Sequence, residues 1–288
     1  MERRSRSYLQ LIKPGITLSN TLTAIAGYLL AASFLEFKIA SFIASAVGIA
    51  LIIASACVVN NVIDRDIDRR MKRTAKRDVA NGKISVRKAI LFAVIIGIAG
   101  FGTILLLTNL LTFTLGVIAY IWYIIIYGIA KRKTAWSTLI GGVAGALPPV
   151  AGYTALSGRI DAAAMILFFM MLLWQMPHFY SIAMFRRSDY AKAKLPIWSV
   201  SYGMKSAKRQ ILLFAALYGL SSILLTLYGY TGIVYLDLSF AIAIYWVYRG
   251  IAIYNRYDDE RWARKMFGTS LLVLLTMCTL VAIGGYLP

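Results

Sequence analysis

The hydropathy pattern limits what this chain can fold into more than any other feature, because nine stretches are each apolar and long enough to cross a bilayer. Hydrophobic residues make up 60% of the 288 residues, and the mean hydropathy is +0.71. No sizeable hydrophilic segment separates these stretches, so we expect an all-α, polytopic membrane protein forming a single integral-membrane domain, residues 1–288. The expected spans are residues 16–35, 39–60, 88–107, 110–130, 135–156, 162–185, 210–230, 233–254 and 266–287.

The distribution of charge predicts the orientation of the chain. There are 31 basic and 12 acidic residues, and all of the basic ones except Lys38 and Arg159 fall on one side of the predicted membrane. Because cytoplasmic loops carry an excess of Lys and Arg, we expect the N-terminus in the cytoplasm and, after nine spans, the C-terminus outside. The asymmetry accounts for the net charge of +19 without a nucleic-acid partner. The first span has no signal-peptidase site, which favours a retained helix in the plasma membrane of a prokaryote.

A row of oxygen-bearing side chains ends the second predicted span. Asn60, Asp64 and Asp68 are spaced four residues apart, so on a helix they share one face, while Asp66 points away. Mg²⁺ is usually held by one or two carboxylates together with phosphate oxygens of a substrate. Arginines follow directly in the sequence and suit an anionic phosphate. The pattern therefore predicts a metal–phosphate site at one membrane face.

The alternative interpretation is a charged juxtamembrane loop that orients the protein and touches anionic lipid. It explains the arginines but not three aspartates at the end of a span, where Asp is costly unless it lines a wet, functional cavity. His178, the single histidine in the sequence, lies inside the sixth span and is either a functional residue or a hydrogen-bonded structural one after Pro177. Cys57 and Cys278 lack partner spacing for zinc or a disulfide framework.

The connections after the second and sixth spans suggest an internal repeat. Both are charged, both follow a helix with a polar end, and four spans separate them. This arrangement predicts nine helices built as two parallel four-helix repeats plus one. The last three spans have few polar residues in their interiors, so we expect them to serve packing.

Four longer motifs occur in order along the chain: Asn60-Asn61-x-Ile63-Asp64-Arg65-Asp66-Ile67-Asp68-Arg69-x-Met71-x-Arg73-Thr74, Gly145-Ala146-x-Pro148-Pro149-x-x-Gly152, Trp174-Gln175-Met176-Pro177-His178-Phe179 and Asp189-Tyr190. The first motif resembles that of the intramembrane prenyltransferase (UbiA) superfamily, and the fuller strings resemble its protoheme IX farnesyltransferase (heme O synthase) branch. The resemblance covers nearly the whole chain. It departs at the second DxxxD pair of many superfamily members, where this chain has Phe185 and only Asp189.

The resemblance implies nine helices around a central, membrane-buried cavity. Farnesyl diphosphate would bind through Mg²⁺ at the cytoplasmic mouth, and its farnesyl group would be transferred to a vinyl group of heme b, with addition of water, to give heme O. Asn60, Asp64 and Asp68 would then hold Mg²⁺ and diphosphate, and Asp189 would help to close the site. The remaining expected contacts are Arg73, Arg77, Lys131 and Arg132 for the phosphates, Tyr123 and Tyr127 for the allylic cation, and His178 for heme.

Two other functions compete with this one. Prenylation of a quinone precursor or a chlorin is the nearest alternative, and the motif from Trp174 to Phe179 argues against it. A secondary transporter would also show repeats and intramembrane polar residues, but it requires ionisable groups near the bilayer midplane, whereas the acids here crowd one interface. The resemblance leaves open a physical partnership with a heme A synthase or a terminal oxidase.

Overall fold

The computed structural model describes residues 2–288, with side chains described from Ser7 onward. Met1, the first residue of the predicted domain, lies outside the described residues. Residues 2–288 form helices and contain no β-strand. The helices are α1 (Glu2–Leu11), α2 (Pro14–Ala32), α3 (Ile39–Ile63), α4 (Arg65–Arg70), α5 (Val86–Leu107), α6 (Leu110–Ile121), α7 (Tyr127–Lys133), α8 (Ser137–Ser157), α9 (Ala162–Phe185), α10 (Arg187–Lys192), α11 (Trp198–Ser201), α12 (Gly203–Ser222), α13 (Leu224–Leu227), α14 (Ile233–Ala252) and α15 (Asp259–Ile283).

The described residues contain nine helical segments long and apolar enough to span a membrane, which confirms the predicted number. Two of these segments begin seven residues earlier than the hydropathy predicts. α12 starts at Gly203 and α15 at Asp259, because both helices continue beyond their apolar stretch through charged turns. The ammonium of Lys208 lies 2.7 Å from a carboxylate oxygen of Asp259 and joins these two extensions.

The spanning helices enclose a central cavity. α2 packs against α3, α8 and α15, α9 packs against α8, α12 and α15, and α14 lies outside against α12 and α15. On the outer surface, large apolar side chains are exposed, among them Ile98 (70%) and Leu106 (80%) of α5. Exposed apolar area of this extent belongs in lipid, so the chain is an integral, multi-pass membrane protein. The arrangement as two repeats stays a prediction.

A close approach between α2 and α8 fixes one wall of the cavity. Gly27 of α2 lies so near Pro149 that a Cβ at this glycine would collide with the proline carbonyl oxygen. α8 runs through Pro148 and Pro149 without interruption. Small residues permit such backbone contacts inside membranes, where helices gain little from hydrophobic burial against each other.

Candidate active site

The acidic row lies across the junction of α3 and α4. α3 ends at Ile63 and Asp64 leaves helical geometry (φ −90°, ψ 3°). The helical hydrogen bonds nevertheless continue, from Asp64 N to Asn60 O (2.9 Å) and from Asp68 N to Asp64 O (2.8 Å). In addition, Asn60 Nδ2 donates to Asp64 Oδ2 at 2.8 Å. The three side chains therefore stay in one row, as the four-residue spacing predicts.

Each carboxylate of the row is paired with a cation supplied from elsewhere in the fold. Lys131 of α7 is buried, and its Nζ donates to Asn60 Oδ1 (3.0 Å) and to Asp64 Oδ2 (2.6 Å). Arg77 Nη1 lies 2.9 Å from both carboxylate oxygens of Asp68. The site is therefore internally neutralised, with an ammonium between the amide and the first carboxylate.

The donor set fits a divalent cation. Asp64 Oδ1 is buried and accepts no hydrogen bond in the part of the chain that the structure describes, although the Lys131 ammonium lies 2.6 Å away. A metal ion can bind this oxygen once the ammonium moves aside. Among the residues with described side chains, no three Asp, Glu, His or Cys side chains form a cluster. The row therefore offers two carboxylates and an amide, which leaves coordination positions for phosphate oxygens and water, as Mg²⁺ requires.

The row opens into a cavity of about 890 Å³. Its walls come from α2 to α10, α15 and the connections that follow α1, α4 and α10. Six cationic side chains line it against two acidic ones, Asp64 and Asp68. This excess of positive charge attracts an anionic ligand. The six are Lys13, Arg73, Arg77, Lys131, Arg186 and Arg264.

Lys13 and Arg73 are two cavity cations that can receive an added anion. Neither forms an ion pair with any side chain described from Ser7 onward. Lys13 adopts a left-handed backbone conformation (φ 50°) immediately before α2, which is costly for a residue with a side chain and typical of functional sites. Burial lowers the pKa of the Lys13 ammonium.

Two of the predicted contact residues lie outside the cavity. Arg132 forms a two-pronged ion pair with Asp66, at 2.8 and 2.9 Å, and its guanidinium also lies 3.8 Å from a carboxylate oxygen of Asp64. Its hydrogen bond to Asp66 lowers the pKa of that carboxyl to about 2. Asp189 is half-buried in α10 and does not line the cavity, and neither does Arg132. Their roles as ligand contacts therefore stay predictions.

The predicted tyrosines line the cavity next to the row. Tyr123 and Tyr127 stack with their ring centroids 5.6 Å apart, and the Lys131 ammonium lies 5.2 Å from the centre of the Tyr127 ring. Between α6 and α7 the chain forms a π-helical turn, Trp122–Ile126, a distortion often found at functional sites. Gly141 of α8 gives the second ring its space, because a Cβ there would lie 2.6 Å from Tyr127.

His178 lies in the aromatic part of the cavity. Its ring stacks on Trp174 at 5.0 Å and packs against Phe267 at 4.9 Å. Its Nδ1 lies 2.8 Å from the hydroxyl of Ser270. Phe267 and Ser270 belong to α15, one of the three helices expected to serve packing alone. That expectation is wrong for α15, since it completes the cavity wall.

A second cationic group borders this aromatic wall. Phe185 packs edge-on against Phe267 at 5.7 Å. The guanidinium carbons of Arg264 and Arg186 lie 4.9 and 5.5 Å from the centre of the Phe185 ring. Sequence reasoning missed both arginines as ligand contacts. Arg186 directly follows the sixth predicted span and Arg264 lies just before the ninth, but their meeting on the Phe185 ring is not visible from the sequence.

The comparison with protein-family models gives one match, to the UbiA prenyltransferase family over residues 20–276. The chain belongs to this family. Similar relatives within the UbiA family include protoheme IX farnesyltransferase 1 of Shewanella sp. (strain W3-18-1), which is 42% identical over 98% of this chain and 90% of the relative. Protoheme IX farnesyltransferase 2 of Pseudomonas putida (strain GB-1) is 40% identical over 97% of this chain and 95% of the relative.

Solved UbiA-type structures share the fold. A digeranylgeranylglyceryl phosphate synthase superposes with a TM-score of 0.80 at 22% identity, covering 99% of both chains. A UbiA homologue from Archaeoglobus fulgidus bound to GPP and Mg²⁺ superposes with a TM-score of 0.70 at 18% identity, covering 96% of this chain and 99% of that one. These likenesses support the UbiA fold of the nine spanning segments described in residues 2–288.

Proposed function

We propose that this protein is a heme O synthase, which transfers the farnesyl group of farnesyl diphosphate to a vinyl group of heme b, with addition of water. One observation carries the proposal beyond the family assignment. One cavity contains the carboxylate row with its surrounding cations at one end. The same cavity contains an aromatic wall with His178, Arg186 and Arg264. Such a cavity suits one ligand with a diphosphate and another that is flat, apolar and anionic at its edge.

At the row, Asn60, Asp64 and Asp68 would hold Mg²⁺, which when bound supplies positive charge to the leaving diphosphate. Lys131 and Arg77 donate hydrogen bonds to the carboxylates of Asp64 and Asp68. We infer that they turn to the phosphate oxygens when metal and diphosphate bind together. The exchange places preformed cations where negative charge develops as the allylic C–O bond breaks.

The transfer step needs protection from water. The C–O bond of farnesyl diphosphate breaks and its electron pair leaves with diphosphate, while C1 bonds to the terminal vinyl carbon of heme. Water then adds at the other vinyl carbon and loses a proton. The faces of Tyr123 and Tyr127, which line the cavity beside the row, stabilise the developing allylic cation.

At the aromatic wall, His178 would contact the heme iron, because neutral imidazole is a common haem ligand. Arg186 and Arg264 are suited to the propionates, since guanidinium binds carboxylates in a two-pronged geometry. A heme held at both points has its edge directed along the cavity. This anchoring distinguishes heme from a quinone precursor, which has neither iron nor propionates.

We further propose that residues 1–288 act as one domain in a prokaryotic plasma membrane, with the N-terminus in the cytoplasm. The charged connections after α3 and α9 then face the cytoplasm, which is the compartment of a water-soluble diphosphate.

Pigment extraction tests the proposed function. The protein is expressed in a bacterial host that lacks its own heme O synthase, and the extracted hemes are separated by chromatography. We expect heme O with the wild type and none with Asp64→Ala at equal membrane abundance. Unmodified heme b together with a newly prenylated quinone or chlorin would transfer the assignment to another branch of the family.

A further inference from the structure

The hydrogen bonds of Ser270 on α15 determine which ring nitrogen of His178 carries the proton. Its hydroxyl lies 2.6 Å from the carbonyl oxygen of Phe267 and 2.8 Å from His178 Nδ1. A carbonyl can only accept, so the single hydroxyl proton goes to Phe267. The serine oxygen must then accept from the imidazole, which puts the imidazole proton on Nδ1.

The other ring nitrogen of His178 is consequently an unprotonated acceptor. Nε2 makes no hydrogen bond with any residue whose side chain is described, and it is not among the buried polar atoms without a partner. Since the ring lines the cavity, its free lone pair is accessible from there. The lone pair of a neutral imidazole binds a transition metal. It cannot donate a hydrogen bond to a carboxylate or a phosphate.

Ser270 also positions Trp174, whose indole stacks on the His178 ring. Trp174 Nε1 donates to the Ser270 carbonyl at 2.9 Å, and the indole stacks on His178 with an interplanar angle of 25°. Ser270 itself is fully buried. One residue therefore sets the proton position of the imidazole through its side chain and the tilt of the imidazole through its backbone.

We propose that Ser270 is a positioning residue that locks His178 as the Nδ1–H tautomer, so that Nε2 presents its lone pair to the iron of the porphyrin acceptor. The inference rests on the proposed function, because that function supplies the iron. Outer-shell partners of metal-bound histidines raise affinity for the metal by roughly ten- to a hundredfold. The contribution of Ser270 should therefore appear in iron binding and not in porphyrin binding as such.

The tautomer can be measured without any ligand, because the sequence contains one histidine. Protein labelled with ¹⁵N-histidine and held in detergent micelles should show a protonated Nδ1 and an unprotonated Nε2. In Ser270→Ala we expect this pattern to change to a tautomer mixture, and in Ser270→Thr, which keeps the hydroxyl, to persist. Ser222→Ala is the matched control, since Ser222 is equally buried and makes the same type of hydrogen bond, to Gly219 O at 2.8 Å, away from the cavity. A protonated Nε2 in the wild type, or an unchanged tautomer in Ser270→Ala, overturns the proposal.

Porphyrin binding separates this inference from the function on which it rests. Iron protoporphyrin IX and metal-free protoporphyrin IX are titrated into each variant, and the visible spectrum is recorded. We expect Ser270→Ala to bind the iron form about tenfold more weakly and the metal-free form unchanged. If Ser270→Ala binds iron protoporphyrin IX as tightly as the wild type while His178→Ala does not bind it, the role of Ser270 is overturned and the role of His178 stands. A wild type that binds neither porphyrin overturns the proposed acceptor.

Discussion

Lys131→Met should change metal binding and diphosphate binding in opposite directions. The Lys131 ammonium hydrogen-bonds Asn60 and Asp64 at 3.0 and 2.6 Å. A metal ion that binds alone must displace it. When diphosphate binds together with the metal, the same ammonium gains phosphate oxygens as partners. Removing the ammonium should therefore weaken substrate binding.

The size of the effect follows from the contact that is removed. A hydrogen bond to a charged group contributes about 1.5–3 kcal/mol, and about 1.4 kcal/mol corresponds to a factor of ten in affinity. Metal binding without diphosphate should therefore tighten by roughly ten- to a hundredfold in Lys131→Met, and binding of farnesyl diphosphate with metal should weaken by at least about tenfold. Removing one partner of a buried pair costs about 3–5 kcal/mol of stability, and added metal should restore part of this loss.

Mn²⁺ provides the assay, since its free form is measured directly by electron paramagnetic resonance in a titration of the detergent-solubilised protein. Lys133→Met is the matched control, because Lys133 is exposed on the same helix and forms no ion pair with any described side chain. Unchanged or weaker Mn²⁺ binding by Lys131→Met would refute the exchange of partners at the row.

Three further predictions concern the row and the membrane. Asp64→Ala and Asp68→Ala should abolish turnover and metal-dependent binding of farnesyl diphosphate, whereas Asp66→Ala should retain most of both; equal loss from all three would exclude the row. Asp66→Asn should lower the free energy of unfolding at neutral pH by less than about 1 kcal/mol, because the pair is half-exposed, which a small drop in melting temperature would report. Because the folded pKa of Asp66 is lowered to about 2, this difference should persist above about pH 4 and vanish as the pH falls toward 2; a difference that grows with acid would contradict it. In a protein without its native cysteines, a cysteine at Ser157 should react with an impermeant thiol reagent outside intact cells and one at Ser85 should not, and the reverse result would invert the proposed orientation.

Local patterns predicted most of the fold. Hydropathy locates the spans because a bilayer requires about 20 apolar residues in succession, and four-residue spacing places Asn60, Asp64 and Asp68 on one face. The early starts of α12 and α15 were missed because charged turns end a hydropathy segment but not a helix. Lys208 and Asp259 lie on different helices, so their pairing is invisible to a window along the sequence.

Contacts between distant residues account for the rest of the site. The partner of Asp64 is 67 residues away and the partner of His178 is 92 residues away, and no spacing rule connects them. Arg132 follows Lys131 in the sequence, yet its guanidinium pairs chiefly with Asp66 and does not line the cavity, which adjacency in the sequence does not reveal. A lone serine in an apolar span was the one available signal for Ser270, and serine in such a position commonly bonds its own helix.

Reconstitution of the reaction tests the central claim most directly. Purified protein in detergent is supplied with farnesyl diphosphate, Mg²⁺ and heme b, and the hemes are analysed by mass spectrometry, with a quinone precursor and a chlorin offered in parallel. The account predicts one product whose mass is that of heme b plus a farnesyl group and water, formed with release of diphosphate and absent in Asp64→Ala. Unmodified heme b beside a prenylated quinone precursor or chlorin would contradict it.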